Sequence, residues 1–273
     1  MTTKTIETGT NQLLCEVRDN VAIITLNRPE VRNALGNTIT PALRQMIRDR
    51  GKDPEIGALL LTGSGTAFCA GGDVKGMGTS SKKEKMTNEQ KITRLKEGQR
   101  TLTGNLRNLR MPTVAALPGP AAGAGLAIAL ACDIRIAAHS AFISTGYAKV
   151  GLSGDYGIAW MLTKLVGTAR ARELMFTADR LEATECERIG LVNRVTSDAT
   201  LHEEAFALAK RLAQGPRVAL ENMKNNLDDA LTQPYLTALD REAERLIASA
   251  QTADHKEAVN AFIEKRNPKF TGV

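Results

Sequence analysis

The sequence predicts a layered α/β fold that is followed by a helical region. Short apolar runs typical of strands return after helices or long loops, which is the order found in α/β domains. After Gly167 this pattern stops, and amphipathic helical segments follow one another to the C terminus. The 273 residues, 42% of them apolar and 24% charged, provide one large core and exclude a disordered chain or a disulfide-stabilised small protein.

The first predicted elements are a hairpin and a helix. Residues 13–18 and 21–26 are strand-like, and the Asp-Asn pair between them is typical of a hairpin turn. Thr40 and Pro41 predict the N-cap and the first turn of a helix that runs to about Lys52.

A buried strand, a glycine-rich loop and a second strand–turn–helix unit come next. The run 56–63 is apolar at consecutive positions, which predicts a strand covered on both faces, and it ends in the glycine-rich loop 63–73. The polar segment 79–90 predicts a surface loop before a helix that ends near Arg110. The elements expected after it are a strand at 113–117, a turn at 118–123, a helix at 124–131 and a strand at 134–137.

The C-terminal part reads as helical throughout. We therefore divide the chain into a core at 1–200 and a C-terminal helical region at 201–273, whose amphipathic helices pack on a domain or on a neighbouring subunit. The helical segments after Gly167 are 168–177, 201–214, 216–231, 235–249 and 253–266.

Composition bears on the compartment and the partners. The four cysteines lie far apart, which argues against a metal-binding pair or a disulfide framework and favours a reducing compartment. The N terminus has neither a signal-peptide apolar core nor the character of a transit peptide, and prolines and glycines interrupt the uncharged stretch 113–131, so we expect a cytoplasmic protein without a membrane span. The net charge of +6 fits an anionic partner or simply a solvated surface.

Two glycine-rich turns, AFCAGGD and PGPAAGAG, carry the main chemical signal. Each places several backbone N–H groups beside a helix start, where small side chains let a negatively charged ligand approach. The structural alternatives are a tight turn with positive φ for the first and close packing of an Ala/Gly helix for the second. Neither turn matches a P-loop or the dinucleotide fingerprint, and the isolated histidines and cysteines predict no metal site. His139 is expected to be a capping or surface residue.

Five segments in a fixed order resemble the enoyl-CoA hydratase/isomerase (crotonase) superfamily. The resemblance covers nearly the whole chain, and it is the order of the segments that makes it specific. They are LNRPEVRNAL at 26–35, AFCAGGDVK at 67–75, PGPAAGAGLAIALACDIRIA at 118–137, GLSGDYG at 151–157 and AFIEKRNPKF at 261–270.

This resemblance implies a crotonase-like ββα spiral core with a C-terminal helical trimerisation region, in a homotrimer or a dimer of trimers. It also implies activity on acyl-CoA thioesters, with coenzyme A as part of the substrate and no tightly bound cofactor. The two backbone N–H groups that polarise the thioester carbonyl in this family map onto Gly72 and Ala124. Two preorganised donors at a helix N terminus stabilise the enolate that forms when a proton leaves the carbon next to the thioester.

The family's coenzyme A contacts map less evenly. Glu30 stands where the family usually has a lysine after the NRP segment, so Arg28 or Arg32 is expected to supply the positive charge toward the phosphates. The other expected contacts are Ala70, Gly72, Asp73, Val74 and Lys75 in the first glycine-rich loop, and Phe262 and Lys265 near the C terminus.

The chain departs from the family at the two glutamates that activate water in hydratases. Ala127 stands at the first of these positions and Tyr147 at or near the second, and neither a methyl group nor an unperturbed phenol does a carboxylate's proton work at neutral pH. Asp155 lies where several isomerase and carbon–carbon-cleaving members have a working aspartate, although it would also suit the cap of a helix at 156–166. Asp133 is expected to be a structural turn residue.

The sequence therefore predicts an enoyl-CoA isomerase-type proton transfer with Asp155 as acid/base and Tyr147 orienting substrate or water. Two alternatives stay open. One is an enoyl-CoA hydratase that activates water with Asp155 or Tyr147. The other is a non-catalytic acyl-CoA or RNA binder, although no RNP-type aromatic motif or basic stripe supports binding to nucleic acid.

Overall fold

Parallel strands dominate the main sheet of the protein. The computed structural model describes residues 3–73 and 86–272. Seven strands of this described part form one sheet in the order β1-β2-β3-β4-β5-β7-β10, and three more form a small sheet in the order β6-β8-β9. The strands are β1 Lys4–Ile6, β2 Leu13–Arg18, β3 Val21–Leu26, β4 Ala58–Gly63, β5 Thr113–Leu117, β6 Ala121–Ala122, β7 Ile134–Ala138, β8 Phe142–Ser144, β9 Leu181–Glu182 and β10 Arg194–Thr196.

The sheet begins with the predicted hairpin. Strands β2 and β3 pair antiparallel from Leu13 opposite Leu26 to Arg18 opposite Val21. Asp19 and Asn20 connect them with φ angles of 50° and 62°, a left-handed conformation that short polar residues tolerate and that suits tight hairpins. From β3 onward the pairing with β4, β5, β7 and β10 is parallel, and β4 is buried on both faces as its apolar run predicts.

Nine α-helices of six or more residues cover the sheet or extend from it in the described part of the chain. Their bounds are α1 Ile39–Lys52, α2 Asn88–Gln99, α3 Ala124–Ala131, α4 Ile158–Thr177, α5 Ala183–Arg188, α6 Leu201–Ala213, α7 Arg217–Ala230, α8 Tyr235–Ala250 and α9 Ala253–Ile263. Helix α2 continues through a π turn at Arg100–Gly104 into the short helix Asn105–Arg107.

Two helix starts differ from the sequence prediction. Helix α1 begins at Ile39, so Thr40 lies inside its first turn and is not the N-cap. Helix α2 begins within the segment predicted as a loop, because Thr87 and Gln90 form a reciprocal capping box. The predicted loop residues 79–85 lie outside the described residues.

The C-terminal helices differ among themselves in burial. Helix α6 packs on β4 and β5 through a face that includes the buried Leu201, Ala205 and Ala209. By contrast, α7 and α8 contribute no buried residue to the described part of the chain. Large apolar side chains stay exposed on α7–α9: Met223, Leu227, Tyr235, Leu236, Leu239, Leu246, Ile247, Val259, Phe262 and Ile263. The division at residue 200 and the trimer stay predictions.

No helix in the described ranges combines the length and the apolar character that a bilayer crossing requires. The uncharged stretch 113–131 forms instead the buried strand β5, a turn, the short strand β6 and helix α3, all of whose residues are buried. This is the strand, turn and buried helix that its prolines and glycines predict.

Candidate active site

The first glycine-rich loop lies directly against the start of α3. Gly71 has a φ of 92°, and a Cβ added to it would stand 2.8 Å from the Ala122 carbonyl oxygen and 3.5 Å from the Ala124 nitrogen. Only glycine combines this backbone conformation with this close approach. Gly72, the next residue, is therefore held beside the N terminus of α3.

Main-chain hydrogen bonds fix the two glycine-rich segments to each other. The Ala122 N–H donates to the Cys69 carbonyl at 2.9 Å, and the Leu35 N–H donates to the Gly71 carbonyl at 2.7 Å. The Asp73 N–H in turn donates to the Leu35 carbonyl at 3.1 Å. Within the described residues, neither the Gly72 N–H nor the Ala124 N–H donates to another protein group. Free N–H groups beside a helix N terminus attract negative charge.

The structural interpretations of the two glycine segments are confirmed. Gly71, in the first segment, takes a φ of 92°, which is the tight turn expected there. A Cβ on Gly125 would stand 2.3 Å from the Cys69 carbonyl oxygen, so α3 packs on the loop at backbone contact distance. These glycines therefore allow the loop and α3 to pack at backbone contact distance.

Asn33 holds the loop from the other side, a role that the sequence analysis did not assign. This side chain is fully buried and donates to the carbonyls of Ser64 and Ala67 at 2.9 and 2.8 Å, while its oxygen accepts from the Arg28 N–H at 2.7 Å. Its φ of 57° is left-handed, which asparagine tolerates better than most residues. The asparagine that ends the RPEVRN turn is the signal that could have identified it.

The Arg28 guanidinium is already engaged within the protein. One nitrogen donates to the Ala34 carbonyl at 2.7 Å, and another lies 3.6 Å from the Asp73 carboxylate. The Arg28 side chain is only 15% exposed, whereas Arg32 is on the surface in a left-handed conformation. Arg28 therefore ties the turn 28–34 to Asp73, the residue after Gly72.

Tyr147 and Asp155 form the polar pair on the other side of the α3 N terminus. The Tyr147 hydroxyl donates to Asp155 Oδ1 at 2.5 Å. The phenol packs beside the glycine turn, because a Cβ on Gly123 would stand 3.9 Å from its Cζ. A Cβ on Gly146 would likewise stand 3.9 Å from the Gly123 nitrogen. The acid therefore shares its surroundings with the residue that precedes Ala124.

Burial sets the protonation of this pair. Desolvation raises the pKa of Asp155, and the hydrogen bond from Tyr147 opposes this by stabilising the carboxylate. Desolvation together with the adjacent Asp155 carboxylate raises the pKa of Tyr147 well above its usual range. Asp155 is thus a carboxyl group with strengthened affinity for a proton, next to a phenol that stays protonated.

Asp155 does not cap helix α4. The N-cap of α4 is Gly157, with a φ of 78° and no side-chain hydrogen bond, and only the Asp155 carbonyl accepts from the Ile158 N–H. Asp133, in contrast, is the structural residue that we expected. Its carboxylate accepts from the Thr113 N–H at 2.8 Å and lies 2.9 Å from Lys224 Nζ. His139 lies exposed after β7.

The remaining predicted site residues lie in different surroundings. Ala127, at the first glutamate position, is fully buried in α3. The Ala70 N–H donates to the Arg32 carbonyl at 2.9 Å, which ties the loop to the turn 28–34. Phe262, 86% exposed, and Lys265 lie at the C-terminal end of α9 and just beyond it. Val74 and Lys75 lie outside the described residues.

A separate cavity of about 490 Å³ lies between α4 and α7. Its walls include Trp160, Met161 and Leu227, and the Asp133–Lys224 pair also lines it. None of Gly72, Ala124, Tyr147 and Asp155 borders this cavity. Among the described residues no group of three or more His, Cys, Asp or Glu side chains has the arrangement of a metal site.

Comparison with known families agrees with the observed fold. The family model described as enoyl-CoA hydratase/isomerase matches residues 16–273. The chain belongs to this family, and its α/β core with a C-terminal helical region is the crotonase fold.

Relatives with both hydratase and isomerase names share nearly the full length of the chain. A Rhodobacter capsulatus protein named "Probable enoyl-CoA hydratase" is 38% identical, covering 94% of this chain and 96% of its own. The 1,2-epoxyphenylacetyl-CoA isomerase of Escherichia coli K12 is 35% identical, covering 95% and 98%. The crystal structure of an enoyl-CoA hydratase from Bacillus anthracis superposes with a TM-score of 0.89 at 29% identity, covering 96% of this chain and 100% of that one.

Proposed function

We propose that this protein isomerises the double bond of an unsaturated acyl-CoA thioester, with Asp155 moving the proton. The observation that carries the proposal is the half-buried Asp155 carboxyl, which accepts a hydrogen bond from Tyr147, whose ring lies beside the glycine turn that begins α3. The backbone N–H groups of Gly72 and Ala124 would hold the thioester oxygen. A carboxyl group with a raised pKa is suited to both taking and returning a proton near neutral pH.

The reaction is a 1,3 proton shift through one enolate. The Asp155 carboxylate removes a proton from the carbon next to the thioester carbonyl of a 3-enoyl substrate, and the C–H electron pair moves into a dienolate with its charge on the thioester oxygen. The two N–H donors stabilise that oxygen. Protonated Asp155 then returns the proton to carbon 4, the double bond shifts to carbon 2, and the carbonyl re-forms. The substrate is isomerised with no net loss or gain of atoms.

The residues at the two glutamate positions favour proton transfer by a single acid over two-glutamate hydration. Ala127 is buried and cannot titrate, and the Tyr147 hydroxyl already donates a hydrogen bond to Asp155. The relative named as an isomerase supports isomerisation, and the relatives named as hydratases keep hydration as the second candidate. In that second reaction the Tyr147–Asp155 pair would orient and activate a water molecule.

Coenzyme A recognition involves two regions of the chain in this proposal. We assign the adenine end to the loop 70–75, and further contacts to Phe262 and Lys265 from the same or an adjacent subunit. Arg32 suits the phosphates better than Arg28, because it is exposed while Arg28 is engaged with Ala34 and Asp73. The exposed apolar side chains of α7–α9 fit the proposed homotrimer or dimer of trimers. We place this assembly in the cytoplasm.

The decisive experiment compares Asp155→Asn with the wild-type enzyme on a 3-enoyl-CoA and on crotonyl-CoA. We expect wild type to convert the 3-enoyl substrate to the conjugated 2-enoyl product, and Asp155→Asn to lose roughly 10²-fold or more in kcat. Asp179→Asn, which changes an exposed aspartate elsewhere, is the matched control.

Four results would contradict the proposal. Full turnover of the 3-enoyl substrate by Asp155→Asn would remove Asp155 from the mechanism. Consumption of crotonyl-CoA alone would establish the hydratase. Binding of acyl-CoA without turnover of either substrate would establish a non-catalytic binder, and salt-sensitive retention of RNA without acyl-CoA binding would establish the nucleic-acid alternative.

A further inference from the structure

We propose that Tyr147 is a positioning residue that turns one oxygen of the Asp155 carboxylate toward itself and leaves the other for the substrate proton. This inference rests on the proposed function, since it assigns how the acid/base of that reaction is held. In this role Tyr147 does not contact the substrate, because it acts through Asp155.

The geometry of the hydrogen bond supports this division of the carboxylate. Tyr147 donates to Oδ1 of Asp155, and Oδ2 has no hydrogen-bond partner among the described residues. Tyr147 is itself nearly buried, and its ring lies beside Gly123, so the donor has little freedom to swing away. One oxygen is thus occupied and the other is available.

Few charged groups compete for Asp155 in the described structure. Tyr156, the next residue, is half-buried, and Arg44 of α1 lies beside its hydroxyl and so is directed to Tyr156. Lys149 follows Tyr147 closely in the chain but lies on the surface. Tyr147 is therefore the polar group that opposes the desolvation of the Asp155 carboxylate.

The phenol is suited to remain a donor through the whole reaction. If it ionised, two negative charges would stand within one hydrogen bond of each other, and burial makes this still more unfavourable. When Asp155 carries the abstracted proton the bond to Tyr147 weakens, because the acceptor is no longer charged. Tyr147 therefore favours the carboxylate and assists the return of the proton to substrate.

The test is a titration of Asp155 in Tyr147→Phe, which keeps the ring and removes the donor. Carboxyl signals of ¹³C-labelled aspartate, with Asp155 assigned from the Asp155→Asn spectrum, report its protonation without any need for turnover. We expect Asp155 to titrate about one pH unit higher in Tyr147→Phe, as losing one hydrogen bond to a charged group predicts. The acid limb of the kcat/KM profile should shift equally, with kcat reduced and KM little changed. Tyr156→Phe, the matched control, should leave the Asp155 titration close to wild type.

Fluorotyrosine labelling of the unmutated sequence gives a second measurement. The chain has three tyrosines, so the ¹⁹F spectrum is simple. The Tyr147 signal should titrate together with Asp155 and lose this dependence in Asp155→Asn. An Asp155 titration unchanged in Tyr147→Phe, or a Tyr147 signal blind to Asp155, would overturn the inference even if Asp155 proves catalytic. Turnover retained by Asp155→Asn would instead overturn the proposed function.

Discussion

The two halves of the candidate site are held in different ways. The backbone half, the glycine-rich loop 63–73, is fixed by main-chain hydrogen bonds, by the buried Asn33 and by Arg28. The side-chain half depends on one hydrogen bond between Tyr147 and Asp155. Under the proposed function, the fold itself determines where an oxyanion binds, while a few replaceable side chains determine which proton moves. That division would explain how relatives with hydratase and isomerase names share one architecture.

The largest effect is expected from a substitution at Gly71, which displaces the backbone half of the site. Gly71→Ala places a Cβ 2.8 Å from the Ala122 carbonyl oxygen, so the loop must shift and carry the Gly72 N–H with it. Losing one donor of an oxyanion hole costs about 10²–10³ in kcat. We expect a loss of that size in turnover assays.

Gly190→Ala separates this displacement from simple backbone strain. Gly190 has a φ of 78°, similar to the 92° of Gly71, but its added Cβ meets nothing within 4 Å. Both variants should lose stability in thermal unfolding, whereas only Gly71→Ala should lose turnover. Equal turnover in the two variants would contradict the role that we give to the loop.

The next effect tests whether Asn33 stabilises the backbone half. Asn33→Ala leaves the Arg28 N–H and the Ser64 and Ala67 carbonyls without their partner and keeps a strained φ of 57°. We expect the free energy of unfolding to fall by about 2–3 kcal/mol, measured by urea denaturation. Asn33→Gly relieves the backbone strain and should lose slightly less. A loss below about 0.5 kcal/mol in both variants would show that the Asn33 hydrogen bonds contribute little to stability.

Substitutions of Arg28 should have a smaller effect, and they test whether Arg28 positions the loop or binds the phosphates. If Arg28 positions the loop through Asp73, Arg28→Met should lower kcat about tenfold, or ~1.4 kcal/mol, with little change in KM. Arg28→Lys keeps the charge but loses the two-sided contact and should fall between. If Arg28 instead binds the phosphates, KM for the acyl-CoA should rise and depend on salt. Steady-state kinetics at two ionic strengths distinguish the two roles.

The sequence alone predicted the fold and the glycine turns well, because both depend on local patterns. The strands 13–18, 21–26 and 113–117 and the helix 124–131 have the predicted bounds. Apolar runs and positive-φ glycines act within a few residues, and so they are visible in sequence. The family resemblance then placed Gly72, Ala124 and Asp155 in one region.

Long-range polar contacts were not predictable in the same way. Asn33 is 31 and 34 residues from the carbonyls that it binds, and nothing in its own segment specifies them. The engagement of Arg28 with Asp73 joins two loops in the same manner. The interpretation of Asp155 as a helix cap was wrong because Gly157, with its left-handed φ, is the N-cap of α4. Such contacts follow from how the segments pack.

The smallest expected effect is on stability, and it comes from the partly buried Asp155 carboxyl in the side-chain half of the site. The pKa of Asp155 in the folded protein lies above its unfolded value, so the folded state is penalised when the carboxyl ionises. This penalty is absent below the unfolded pKa and develops as the pH rises through the folded pKa. Asp155→Asn removes the charge and keeps an acceptor for Tyr147. Its free energy of unfolding should therefore exceed that of wild type at pH 8, with the difference shrinking toward pH 4. A constant difference across this range, measured by denaturation at each pH, would show that the Asp155 carboxyl is not destabilised by burial.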